Sequence, residues 1–210
     1  MSNFPKSGGH TCAVTMCQNP ASAVSPYCNT HRQRVAKTGH PTTKAIDLRR
    51  GDGLDQRTWI SNFMEDDITT NESLAESLAW FKCWVSQQAK NPSKGQHFFQ
   101  RMYNQMDDEG YLKVVSGVAT LVANHLHSPS SIEAGLPLLR QTGFWTLFGA
   151  TKPTSKTEKA GSVQATSYYA GSPILDKVGQ TILDEMGKEL SYLAQRAVKL
   201  SPYFARSKKL

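Results

Sequence analysis

Three cysteines and a histidine near the start constrain this chain more than anything else in it. Cys12, Cys17, Cys28 and His31 follow the pattern Cys-x4-Cys-x10-Cys-x2-His. Three thiolates and an imidazole, arriving as two close pairs, are the donor set of a tetrahedral zinc site. A disulfide scaffold needs an even, spread-out set of cysteines in an exported chain. The stretch Met1 to His10 has no apolar signal-like run. A closed shell of four protein ligands leaves no position for water or substrate, so a single Zn²⁺ here is expected to be structural. About forty residues bury too little apolar surface to fold alone, and metal binding on the order of 10 kcal/mol offsets that deficit.

Local punctuation supports the module. Thr11 to Met16 reads as the first arm of a hairpin, and Gln18-Asn19-Pro20 carries turn chemistry. Ser25-Pro26 reads as a helix N-cap followed by proline at the first helical position. That predicts a helix over Tyr27–Thr38, closed by Gly39 and Pro41. Cys28 and His31, three residues apart, then face one side and reach one ion. His10 and His40 are alternative imidazole donors, and the pair spacing favours His31.

The segment Tyr27-Cys28-x2-His31-x-x-Arg34-x4-Gly39-His40-Pro41, preceded by Cys12-x4-Cys17, resembles the small zinc-binding segments of bacteriophage and mobile-element proteins. Many of those lie near HNH endonuclease domains as treble-clef-like or knuckle-like elements. The resemblance covers about residues 10–41 and implies metal ligation and association with DNA. It carries over only the four ligands and the basic helix. An HNH nuclease also needs a general-base histidine beside an acid or a second histidine, and none of the six histidines here has such a neighbour. No catalytic role is therefore expected for this chain.

Charge is unevenly spread. Residues 1–50 hold seven Lys/Arg against one acid, residues 51–110 hold five against ten, and residues 151–210 hold ten against five. Two basic ends around an acidic middle point to a polyanion partner. Arg32, Arg34 and Lys37 lie on the predicted metal-braced helix, and Lys44, Arg49 and Arg50 follow it. Cations placed in this way release counterions from a phosphate backbone and give salt-dependent affinity. The six are the expected nucleic-acid contacts, with DNA the expected polymer.

The remainder reads as helical. Thr69-x-x-Glu72 is a capping box ahead of Leu74, Leu78, Phe81, Val85 and Gln88, predicting a helix near 70–89. Cys83 within it reads as a small buried residue. A second helix is expected over 94–107, ended by Asp107-Asp108-Glu109-Gly110. A third, Tyr111 to His127, is apolar nearly all round and hence central. Ser130-x-x-Glu133 opens a fourth, running to Phe148 and made irregular by Pro137 and Gly143. Ser172-Pro173 opens the longest helix, striped by Leu175, Val178, Ile182, Met186, Leu190, Leu193, Ala197 and Leu200, with Pro202 closing it.

The expected fold is mainly α. A treble-clef-like or knuckle-like zinc module (1–41) leads through a linker with a short element (42–68) to a helical domain (69–148). A flexible linker (149–171), holding Tyr168 and Tyr169 as exposed contact candidates, precedes a C-terminal amphipathic helix and basic tail (172–210). No run of 18 uncharged apolar residues is present, so no membrane partner is expected. The reading is a cytoplasmic, non-catalytic accessory protein of a phage or mobile element, binding nucleic acid in replication, transcription or packaging. The helical body would dock a protein or dimerise. The competing class is a protein adaptor or inhibitor in which zinc only braces the fold.

Overall fold

Residues 10–23, 25–92, 96–127, 135–149 and 171–205 of the computed structural model are described below. They form eight helices and no strand: α1 (Asn29–Thr38), α2 (Gly51–Ile68), α3 (Glu72–Lys90), α4 (Gln96–Gln105), α5 (Asp108–His127), α6 (Gly135–Phe148), α7 (Gly171–Leu200) and α8 (Pro202–Ala205). Among the described residues, no helix is long and apolar enough to cross a membrane.

Helix α5 lies at the centre, as its all-round apolar pattern predicts. Val114, Val115, Val118, Ala119, Leu121, Val122 and Ala123 are all buried, and α5 packs against α2, α6 and α7. Its two buried hydroxyls are partly absorbed by the helix itself, with Thr120 Oγ1 donating to the Ser116 carbonyl at 2.7 Å. The α7 stripe from Leu175 to Ala197 is buried throughout, whereas Leu200, read as its last member, is 56% exposed.

The tightest packing joins α6 to α7. A Cβ on Gly143 would lie 1.9 Å from the Leu175 carbonyl oxygen, and one on Gly179 1.9 Å from that of Leu139. Each glycine lets the other helix's backbone approach. Gly143 therefore sits within a continuous α6 as a contact point, where the sequence suggested an irregularity. Pro137 falls in the first turn, where no intrahelical donor is lost. Across the same interface Arg140 grips Asp176 through two hydrogen bonds, one of them Nε to Oδ1 at 2.7 Å. Arg196 on α7 holds Asp67 on α2 through one nitrogen, Nη1 donating to both carboxylate oxygens at 2.7 and 2.6 Å.

Several boundaries differ from expectation for local reasons. The stretch over 51–68 is one helix, not a linker with a short element, because Ile60 and Met64 are fully buried in the core. Helix α3 is capped by Asn71, whose side chain accepts from the Leu74 amide at 3.2 Å, not by Thr69. Its buried stripe ends on Ala89 instead of Gln88. Cys83 falls two residues from both Phe81 and Val85, so it lies on the opposite, exposed face. The acidic run at 107–109 opens α5, with Asp107 Oδ1 accepting from the Gly110 amide at 2.8 Å, and so does not close α4. Pro202 starts α8, whose Phe204 is fully buried. The Ser130-x-x-Glu133 box, Tyr168-Tyr169 and the basic tail lie outside the described residues.

Candidate metal centre

The four donors converge. Cys12, Cys17, Cys28 and His31 each offer one ligand atom, and all four atoms lie within 4.8 Å of one another. Cys17 Sγ and Cys28 Sγ are 3.9 Å apart. His31 Nδ1 stands 3.2 Å from Cys12 Sγ and 3.4 Å from Cys28 Sγ. A tetrahedron with bonds of about 2.3 Å to sulfur and 2.0–2.1 Å to nitrogen has edges of about 3.8 and 3.6 Å. The sulfur pair matches its edge and the two sulfur–nitrogen spacings fall a few tenths of an ångström short, so the cluster is compatible with a Cys₃His metal site.

Local structure explains the convergence. An antiparallel bridge pairs Thr11 with Pro20, and the Cys12 amide donates to the Asn19 carbonyl at 3.0 Å. Within this loop the Cys17 amide donates to Val14 O at 3.0 Å, closing a tight turn whose third residue, Met16, has φ 65° and is 96% exposed. That left-handed residue swings Cys17 back toward Cys12. The second pair arrives at the start of α1. Cys28 is the N-cap, with no side-chain cap bond, so its sulfur is available to the cluster. The helix starts two residues later than Ser25-Pro26 predicts, because Ser25 Oγ instead accepts from the Tyr27 amide at 3.2 Å. Gly39, with φ 78°, closes α1 in the left-handed region, its amide donating to Val35 O.

The electrostatics are those of a cation site. Burial pushes the Cys12 thiol up, but donation from the Cys28 and Val14 backbones and hydrogen bonds to His31 and Cys17 prevail, bringing it to about 6. The Cys28 amide reaches its sulfur at 3.3 Å. For Cys17, the Asn19 backbone draws the thiol down, yet burial and the neighbouring sulfurs of Cys12 and Cys28 leave it above its ordinary value. Three sulfurs held this close do not all ionise unless a positive charge sits among them. Among the described residues, neither His10 nor His40 joins the cluster. The His40 ring is engaged with Thr42 at 3.0 Å.

The six basic candidates are distributed as follows. Arg32, Arg34 and Lys37 are half-buried on α1, and Lys44, Arg49 and Arg50 are exposed. Arg34 and Lys37, three apart, share a face. Arg49 bends inward, donating to the Phe148 carbonyl and lying 6.0 Å from the Trp145 ring centroid. One side chain that sequence reasoning missed ties α1 to the helical body. Arg140, 8% exposed, donates through Nη1 to Val35 O and so pins α1 to α6. No local pattern marks a contact 105 residues apart in the chain.

No family model, curated protein or solved structure matches the chain. The likeness to phage and HNH-associated segments therefore has no support from any family match.

Proposed function

We propose that this is a non-catalytic nucleic-acid-binding protein, braced by one structural Zn²⁺ and acting as an accessory factor of a phage or other mobile element. One observation carries the reading. Two of the four donors, Cys28 and His31, stand at the N-terminal end of the same short helix that bears Arg32, Arg34 and Lys37. Three soft thiolates with one imidazole favour zinc over the harder divalent ions. With all four positions taken by protein, the ion stabilises structure and does not activate water. Zinc would hold α1 rigid, and its cations, with Lys44 and Arg50 beyond Gly39, would meet a phosphate backbone. Binding of this kind is steeply salt-dependent and largely indifferent to sequence.

Titration of labelled DNA duplexes and single strands at stepped salt tests this. Affinity should fall steeply as salt rises, and the Arg32→Ala/Arg34→Ala/Lys37→Ala variant should lose at least tenfold at low salt. Unchanged binding by that variant would remove α1 from the contact surface. No binding of any nucleic acid at low salt would overturn the proposal in favour of a protein partner.

A further inference from the structure

Beside the end of α1, the segment 45–50, α5 and α6 border a half-open cleft of about 500 Å³. Its size falls in the range of small-ligand sites, about 300–1,000 Å³. Leu121, Phe144, Trp145 and Ile46 bring apolar side chains to the lining, and Lys37 and Arg50 also border it. Among the described residues, neither the Lys37 ammonium nor the Arg50 guanidinium has a hydrogen bond or ion pair. Among the described residues, Asp47 is the one carboxylate lining the cleft, against three cations counting Arg49.

A further cation, outside the cleft lining, stands on the Trp145 ring. Arg57 lies 5.7 Å from the centroid of the Trp145 ring that Arg49 also approaches. Its Nε and Nη1 are buried and find no hydrogen-bond partner among the described residues. Burial, and then the charge of Arg49, depress its guanidinium. Two arginines thus approach the one indole that also borders the cleft, and neither is paired with a carboxylate among the described residues.

We infer that the cleft binds a nucleotide, its phosphate held by Lys37 and Arg50 and its flat base set against the wall at Phe144. The two parts of that ligand fit the two parts of the site: an anion for the free cations, a planar apolar body for the aromatic wall. The same chemistry is offered by a free nucleotide and by an unpaired residue of a single strand. The inference deepens the nucleic-acid reading above, and it gives the zinc module a second task. Lys37 is on α1, so the metal-braced helix forms one side of the cleft.

The test is calorimetric titration of the full zinc-loaded chain with deoxyadenosine monophosphate, inorganic phosphate and a short single-stranded oligonucleotide. Two variants accompany it: Arg50→Ala, which removes a free charge, and Ala45→Phe, which fills the cleft from the half-buried Ala45 of the connecting loop while keeping every cation. Circular dichroism checks that both remain folded. The expected result is one nucleotide per chain, with at least tenfold weaker binding in each variant and no comparable binding of inorganic phosphate. Binding of the oligonucleotide alone, lost in Ala45→Phe, supports the cleft and assigns its ligand to a strand. Phosphate binding as well as the nucleotide would overturn the role of the apolar wall. Absence of binding by all three probes, or variants that bind like the parent chain, would overturn the inference. Duplex binding that survives in Ala45→Phe while nucleotide binding was never seen leaves the proposed function standing and removes the cleft alone. Nucleotide binding without any duplex or strand binding does the reverse.

Discussion

Single residues set the geometry of the metal centre, and Met16 is the clearest case. It adopts φ 65°, a region that costs a side chain about 1–2 kcal/mol. Because Met16 is 96% exposed, no packing offsets that strain. Met16→Gly should therefore tighten the turn by roughly 0.5–1 kcal/mol after glycine's own entropy is counted. Competition with a chelating dye should show slower metal loss from the variant, and faster loss would mean that the turn is not strained. Gly179 is the opposite case, since its missing side chain is what lets α7 touch α6. Gly179→Ala should destabilise the fold by about 3 kcal/mol, read by urea denaturation, because the clash is with backbone that cannot repack. Legibility at this scale was partial. The four metal donors are visible from spacing alone, since ligation demands fixed residue types at fixed intervals. Cys83 reads as buried from its apolar neighbours, but those belong to the other face of α3 and the thiol is exposed.

At the scale of elements, helices were legible where burial follows the helical period and illegible where it does not. The stripes of α3 and α7 and the all-round apolar α5 announce themselves. Helix α2 does not, because it opens with Gly51-Asp52-Gly53 and carries Glu65, Asp66 and Asp67 near its end. It is helical because Ile60 and Met64 fill the space beside α5, and tertiary packing overrides its weak local preference. The docking of α1 was equally hidden. It depends on Arg140, which binds Asp176 and caps a carbonyl of α1 at once. Arg140→Ala should cost about 3–5 kcal/mol, since it strands a partly buried carboxylate as well as freeing α1. Asp176→Asn should cost less, as its amide retains a hydrogen-bonding oxygen. Denaturation curves order the two, and a milder effect of Arg140→Ala would contradict the bridging role.

For the whole molecule, the architecture makes the zinc module and the helical body separable in their stability. The body carries its own core from Leu48 to Phe204, in which none of the metal donors takes part. Chelation should therefore unfold the segment around α1 and leave most helical signal intact, a loss of one ten-residue helix out of eight by circular dichroism. Global collapse on chelation would show that the body depends on the ion. The mainly helical class was readable in advance because periodic burial is written locally. The cleft was not, because Lys37, Arg50 and Phe144 come from separate segments that only the folded chain brings together. The claim on which the rest depends is that Cys12, Cys17, Cys28 and His31 hold one zinc ion. Elemental analysis of freshly purified protein, beside Cys28→Ser, tests it most directly. One zinc per chain in the parent and a marked loss in the variant is the predicted result; a parent chain free of zinc would contradict it.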